Sequence, residues 1–175
     1  MILNSKMIKE LIVEKSMVSN FKNLEIQLQP NGFDLTIDIH SLSKMNSGLL
    51  APIPEVDFDN SNRKLPSLLY GYTIGERDKF VGLLEGVYGF VFNEFLSLPN
   101  NVMAECKPRS TMLRCFCDVK NSYWDRGFVG KSFGLLVVYK HCVIHENARI
   151  AQMKFEMLED DGNVYNGIYK TKKVE

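Results

Sequence analysis

Short runs of β-branched and aromatic residues recur from about residue 24 onward, and clusters of turn-forming residues separate them. Three of these clusters are Pro30-Asn31-Gly32, Pro99-Asn100-Asn101 and Asp160-Asp161-Gly162-Asn163. Proline, glycine and asparagine favour tight turns, and many short strands at this spacing are typical of β-barrels and jelly rolls. We therefore predict an all-β fold. The expected strands cover residues 32–39, 68–74, 88–95, 102–107, 132–139 and 148–158.

Three segments need separate treatment. Residues 4–17 have helical periodicity, with Ile8, Leu11 and Ile12 on one stripe and Asn4 or Ser5 as the cap. Residues 49–66 contain three prolines and are predicted to form a long surface loop. The apolar run LLEGVYGFVF is predicted to be strand rather than helix, because it contains two glycines together with valines and aromatic residues.

Composition limits the class of protein. A chain of 175 residues with 45% hydrophobic residues is predicted to form one domain over residues 1–175. Lysine plus arginine equals aspartate plus glutamate at 21 each, which argues against a nucleic-acid-binding protein. No apolar run approaches the length of a membrane span, and the charged N-terminus is unlike a secretory signal. We expect a cytoplasmic protein without a membrane partner, whose four cysteines are reduced.

Two neighbouring segments carry the groups most suited to chemistry. The segment KPRSTMLR, residues 107–114, supplies two guanidinium groups and two hydroxyls, which are good ligands for phosphate oxygens. The segment WDRGFVG, residues 124–130, places one carboxylate on a turn, where it suits activation of a water or binding of a sugar hydroxyl. The plainer alternative for both segments is a solvated turn between strands.

Two further segments, QPNGFDL at 29–35 and ARIAQ at 148–152, complete a set of four. In this order and spacing the four segments resemble those of the dUTPase/dCTP deaminase superfamily. The resemblance implies a distorted, jelly-roll-like β-barrel with an N-terminal helix, assembled as a homotrimer with sites between subunits. It implies a deoxynucleoside triphosphate as substrate and Mg²⁺ as cofactor.

The resemblance also assigns roles to individual residues. It implies that Asp125 orients the water that attacks the α-phosphorus and that Asn121 reads the base. Phe128 would pack against the deoxyribose, with a place in the core as the alternative. Asp34 would hold Mg²⁺ indirectly through water, and the alternative is a buried structural carboxylate. The residues implied to bind phosphate are Arg109, Ser110, Arg114 and Gln152.

One position separates the branches of this superfamily. The deaminase branch has a glutamate ten residues after the hairpin aspartate, whereas this chain has Leu135. Leucine cannot shuttle the protons that deamination requires, and no acid occurs between Arg126 and Ile144. We therefore expect hydrolysis of dUTP to dUMP and pyrophosphate. A catalytically silent nucleotide binder and a dCTP deaminase stay as alternatives.

Two other features have plain explanations. His141, Cys142 and His145 lie close together but lack the usual ligand set of a zinc site, so a polar turn is the simpler interpretation. The C-terminal tail is basic. It contains Lys170, Lys172 and Lys173. These lysines are expected either to lie over a triphosphate or to belong to a disordered end.

Overall fold

A computed structural model describes residues 1–45, 79–160 and 162–167. The predicted strand 68–74, the predicted loop 49–66 and the basic tail lie outside these residues. The elements in chain order are α1 (Ser5–Lys15), β1 (Val18–Ser19), α2 (Leu24–Gln27), β2 (Leu28–Gln29), β3 (Gly32–Lys44), β4 (Phe80–Leu83), β5 (Gly86–Ser97), β6 (Val102–Pro108), α3 (Ser110–Arg114), β7 (Cys117–Lys120), β8 (Val129–Val138), β9 (Cys142–His145) and β10 (Arg149–Met157).

The main sheet curls into a nearly closed barrel. Its strand order is β6-β10-β3-β5-β8-β7, with β2 beside β3 and β1 beside β5, while β4 and β9 form a separate pair. The two end strands, β6 and β7, approach each other. Just beyond β7, Ala104 and Trp124 exchange both backbone hydrogen bonds at 2.9 Å. The prediction of an all-β barrel with an N-terminal helix is confirmed. The extent of the domain stays a prediction.

Alternating side chains along β5 and β8 face the core, whereas the first half of β3 is buried on both faces. Four phenylalanine rings are fully buried: Phe33 on β3, Phe90 and Phe92 on β5, and Phe155 on β10. Burying a large apolar side chain contributes roughly 1.5–3 kcal/mol, so these rings are a major part of the driving force for folding. No helix among the described residues is long and apolar enough to span a membrane.

The N-terminal helix is confirmed, although it is shorter than residues 4–17. Asn4 is the N-cap, and its side chain accepts a hydrogen bond from the Met7 N–H at 3.1 Å. The helix ends at Lys15 because Ser16 adopts a left-handed conformation with φ of 52°. The Ser16 and Met17 amides then close the end by donating to Ile12 and Leu11.

The predicted strands that fall on described residues are confirmed, but the ends of several differ. β3 continues to Lys44 because its last residues pair with Tyr88 and Gly89 of β5. β5 continues to Ser97 because its last residues pair with β8. The run LLEGVYGFVF is strand rather than helix, as predicted, apart from two residues: Leu83 ends β4, residues 84–85 connect the strands, and Gly86 begins β5. The short helices α2 and α3 were not predicted, since four or five residues carry too little periodicity to be recognised.

β3 changes partner halfway along its length, and this change positions the site. Its first half, through Thr36, pairs with β10, and its second half pairs with β5 from Ile37 onward. In the first half Gln152 lies directly across from Asp34, and on its other side Gln152 lies across from Lys107 of β6. Only β10 therefore separates the end of β6 from Asp34.

Candidate active site

A buried carboxylate lies at the centre of the best-defined polar cluster. Asp34 is only 1% exposed. Its Oδ2 accepts from Arg109 Nε at 2.9 Å and from Arg149 Nη1 at 3.2 Å, while its Oδ1 accepts from Gln152 Nε2 at 3.5 Å. Burial raises the pKa of Asp34, and the two guanidinium groups and the amide partly offset this effect. We call these four residues the Asp34 cluster.

The Asp34 cluster carries more positive than negative charge. Two guanidinium groups share one carboxylate, and their side chains are 27% and 32% exposed. Arg109 Nη1 also donates to the Arg149 carbonyl at 3.2 Å, but its Nη2 has no hydrogen bond to any described residue. Because the guanidinium fork has five donors, Arg109 retains donors for a ligand oxygen. The cluster is thus suited to an anion such as phosphate.

The short helix α3 extends this cationic region. Its start is fixed by the Arg109 N–H, which donates to the Ile150 carbonyl of the neighbouring β10 segment at 3.0 Å. Ser110 and Arg114 are the first and last residues of α3, and both are exposed. Residues four apart lie on the same face of a helix, so Ser110 and Arg114 share one face of α3. The structure therefore brings Arg109, Ser110, Arg114 and Gln152 to one end of the barrel.

A cleft of about 320 Å³ lies where β6 faces the segment that follows β7. Its lining includes Lys107, Asp118 and Asn121. Asn121 Nδ2 donates to Cys106 Sγ at 2.7 Å, while its Oδ1 has no partner among the described residues. The cleft is at the lower end of the size range of small-molecule sites. The residue predicted to read the base thus lines a cavity that can receive a ring.

Asp125 lies on an ordered turn outside the cleft. Phe128 N–H donates to the Asp125 carbonyl at 3.1 Å, and Gly127 at the turn has φ of 71°, which favours glycine. The Asp125 carboxylate is exposed and has no hydrogen bond or ion pair to any described residue. Phe128 is buried and packs against the Tyr165 ring at 5.7 Å. Its location agrees with the core alternative, and a contact with deoxyribose stays a prediction.

Asp125 and the arginines lie apart in the folded chain. The antiparallel bridge between Trp124 and Ala104 places Asp125 beside Met103. Arg109 follows the same strand at its far end, and at the strand rise the two positions are roughly 20 Å apart. Asp34, Arg109 and Gln152 lie together. Asn121 lies at the same end of the seam between β6 and β7, since its Nδ2 contacts Cys106, the neighbour of Lys107. Asp125 lies further along that seam.

Sequence reasoning missed Arg149, which shares the Asp34 carboxylate with Arg109. Arg149 lies within the segment 148–152, but its partner is 115 residues away along the chain. Strand alternation alone gives no indication of such a pair. Within the described part of the chain, no group of three or more His, Cys, Asp or Glu side chains is arranged to bind a metal directly, including His141, Cys142 and His145.

Comparison with known proteins agrees with the fold. The family model described as dCTP deaminase-like matches residues 2–158. A relative from Archaeoglobus fulgidus, named probable deoxyuridine 5'-triphosphate nucleotidohydrolase, is 36% identical over 176 residues, covering 99% of this chain and 98% of its own. A relative from Methanocaldococcus jannaschii, named deoxyuridine 5'-triphosphate nucleotidohydrolase, is 33% identical and covers 86% and 92%.

A solved structure shows the same fold. The 2'-deoxycytidine 5'-triphosphate deaminase from Agrobacterium tumefaciens superposes with a TM-score of 0.65 at 20% identity, covering 89% of this chain and 46% of that one. Since the family model spans most of the chain and archaeal relatives align almost end to end, this protein belongs to the dCTP deaminase-like family.

Proposed function

We propose that this protein is a dUTP diphosphatase, which converts dUTP to dUMP and pyrophosphate in the cytoplasm by attack of water on the α-phosphorus. The observation that carries the proposal is the pair of guanidinium groups held by the single buried carboxylate of Asp34. The names of the archaeal relatives support the choice of dUTP as substrate.

In this proposal the cationic end of the barrel binds the triphosphate. Arg109 and Arg114 neutralise phosphate oxygens, and the Ser110 hydroxyl and the Gln152 amide donate hydrogen bonds. Both Ser110 and Gln152 are exposed. Gln152 Nε2 has a second hydrogen besides the one directed at Asp34, so it can donate to a phosphate oxygen without losing that contact. Charge that develops on the departing pyrophosphate meets preorganised donors, which is usually the largest catalytic contribution in phosphoryl chemistry.

The cleft between β6 and the segment after β7 is the proposed place for the base. Asn121 offers an amide oxygen without a partner among the described residues, and the uracil edge carries an N–H donor between two carbonyl acceptors. Phe128 is the proposed support of the deoxyribose. Asp125 accepts a hydrogen bond from the attacking water and thereby orients it toward the α-phosphorus.

A complete site needs two subunits in this proposal. Roughly 20 Å separates Asp125 from Arg109 along β6, which is too far for both to contact one α-phosphate. A homotrimer with its sites between subunits resolves this distance, because Asp125 of one subunit then meets Arg109 of another.

The residues present fit an indirect role in binding Mg²⁺. Asp34 Oδ2 is occupied by two guanidinium groups, whereas Oδ1 has only the 3.5 Å contact with Gln152 and can accept from a metal-bound water. When bound, Mg²⁺ would lower the effective negative charge of the triphosphate. Direct coordination by Asp34 is disfavoured by its two cationic neighbours.

Deamination of dCTP is not favoured. Leu135 occupies the position where the deaminase branch carries its glutamate, and it lies on β8 opposite Lys120 and Gly89. Its neighbours on the same face, at every second position, are Phe133 and Val137. An aliphatic side chain in this place supplies no proton for a leaving ammonia.

A substrate panel tests the proposal. Purified protein is incubated with dUTP, dCTP or dTTP plus Mg²⁺, and pyrophosphate and ammonia are measured separately. We expect pyrophosphate from dUTP and no ammonia from dCTP. Asp125→Asn should lower kcat by about 10²–10⁴ while nucleotide binding persists. Nucleotide binding without pyrophosphate release would instead identify a silent binder.

Mixed trimers test the shared site. Asp125→Asn and Arg109→Ala subunits are each expected to be inactive, yet refolding them together should restore activity. With random assembly, about a quarter of the sites receive an intact Asp125 from one subunit and an intact Arg109 from its neighbour. A mixture as inactive as its components would contradict the shared site.

A further inference from the structure

A second buried carboxylate lies beside the Asp34 cluster. Glu94 is on β5 and is 1% exposed. Its Oε1 accepts from the Thr36 hydroxyl at 2.7 Å and from Gln27 Nε2 at 2.8 Å, and its Oε2 accepts from the Thr36 N–H at 2.9 Å. None of the ion pairs in the described part of the chain includes Glu94.

Each of the three donors is fixed by other contacts. Thr36 N–H is backbone, and the Thr36 hydroxyl accepts from Asn93 Nδ2 at 2.9 Å, which directs its own hydrogen toward Glu94. Gln27 cannot reverse its amide, because its Oε1 accepts from the Lys22 and Asn23 amides at 2.7 and 3.0 Å. Only a group with acceptors at both terminal positions satisfies all three donors.

The hydrogen bonds of Glu94 end on the backbone that carries Asp34. Gln27 Nε2 donates to the Asp34 carbonyl at 2.8 Å as well as to Glu94. Thr36 is two residues after Asp34 on β3, at the point where β3 changes partner from β10 to β5. Glu94 therefore holds residues 34–36 from the side opposite to β10, and Asp34 in turn holds Arg109 at 2.9 Å.

Retaining this carboxylate has an energetic cost. Burial raises the pKa of Glu94, and the hydrogen bonds from Thr36 and Gln27 offset only part of that effect. A buried acid without a cation is weak evidence for a purely stabilising role, since neutral groups fill such space at lower cost. We infer that Glu94 is a positioning residue, which acts through Thr36 and Gln27 to orient Asp34 and thereby the Arg109 guanidinium that receives phosphate.

This inference rests on the proposed function, and Glu94→Gln is its direct test. The substitution keeps size and shape but places an NH₂ group against a fixed donor in either amide orientation. We expect the Kd for the non-hydrolysable analogue α,β-imido-dUTP to rise about ten- to a hundredfold, because small displacements of binding groups have effects of this size. KM for dUTP should rise with it and kcat should fall, because the displaced Arg109 guanidinium also meets the charge that develops on the departing pyrophosphate.

Two further variants separate positioning from general destabilisation. Leu42→Ala removes a buried side chain from the other half of β3, so it weakens the fold without touching the Asp34 cluster, and its Kd should equal that of the wild type. In an Arg109→Ala background, Glu94→Gln should add less than about a twofold change in Kd, because both changes act through one guanidinium.

The outcomes distinguish this inference from the proposed function. If the wild type binds and hydrolyses dUTP but Glu94→Gln matches Leu42→Ala in Kd, the role of Glu94 is refuted and the function stands. If the wild type neither binds the analogue nor hydrolyses dUTP, the function fails and this inference fails with it. Should Glu94→Gln not fold, Thr36→Val removes the hydroxyl that donates to Glu94 and accepts from Asn93, and it keeps the backbone donor. An unchanged Kd for that variant refutes the role equally.

Discussion

Gly32→Ala is a sharp test of how the fold holds the site. An ideal Cβ at Gly32 would lie 2.6 Å from the Met153 carbonyl oxygen and 3.1 Å from Gln152 Cγ. Met153 is on β10, which is paired on both sides by β3 and β6, so the carbonyl cannot move freely. Overpacking of this kind lowers the free energy of unfolding by about 1–3 kcal/mol. Replacing glycine by alanine raises it by about 0.5–1 kcal/mol, because the unfolded chain then has less conformational entropy.

We expect a net loss of about 1–2 kcal/mol in the free energy of unfolding. For a chain of 175 residues, this corresponds to a decrease of roughly 2–8 °C in Tm. Thermal melting and urea denaturation, followed by circular dichroism, measure both quantities. Because β10 carries Gln152 beside Asp34, the variant should also bind α,β-imido-dUTP more weakly than the wild type.

Gly82→Ala is the matched control. Gly82 is also in a strand, but a Cβ built there has nothing within 4 Å. Its stability should therefore be unchanged or higher by up to about 1 kcal/mol. If Gly32→Ala is as stable as Gly82→Ala, the close approach of β3 to β10 is not a constraint, and the argument that this contact positions Gln152 is refuted.

Three further predictions concern thiols, acid and a buried hydrogen bond. Cys115 is exposed, whereas burial raises the pKa of the Cys106 and Cys117 thiols to about 12. Ellman's reagent should therefore label Cys115 first in the native protein. Arg126 lowers the pKa of Asp160, so this contact persists above pH 3.8 and is lost as pH falls through the lowered pKa, which amide exchange of residues 162–167 should detect. Ser132→Ala leaves buried Trp124 Nε1 without its 2.6 Å acceptor and should cost about 1–3 kcal/mol in urea denaturation.

Local sequence patterns predicted those parts of the secondary structure that depend on residues a few positions apart. The Asn4 cap, the apolar stripe of α1 and the turn at Pro30-Asn31-Gly32 involve residues a few positions apart, and all three were predictable. The end of β3 was not, because pairing with β5 extends β3 to Lys44. α3 was missed for a related reason, since an isolated five-residue helix depends on its attachment to β10 through Arg109.

Only some residues of the candidate site were predictable from the sequence. Arg109 and Ser110 were singled out because cations and hydroxyls suit phosphate oxygens, whereas Gln152 was singled out only by the family resemblance, and their roles stay predictions. Glu94 was not recognisable, since a single acid in an apolar strand gives no sign of being buried against Thr36, 58 residues away in sequence. Whether Asp125, Asn121 and Phe128 act as assigned stays a prediction that the substrate panel and the mixed trimers address.

From its residue order alone, this chain could be assigned a β-rich barrel, because strand alternation and turn chemistry act over short distances. Side-chain type and the family resemblance added a set of candidate phosphate-binding groups. The pairing of those groups came from the folded chain. β3 lies between β10 and β5, and this arrangement brings Arg149 to Asp34 across 115 positions and Glu94 to Thr36 across 58. Partnerships at such separations depend on sheet register, which no short segment encodes.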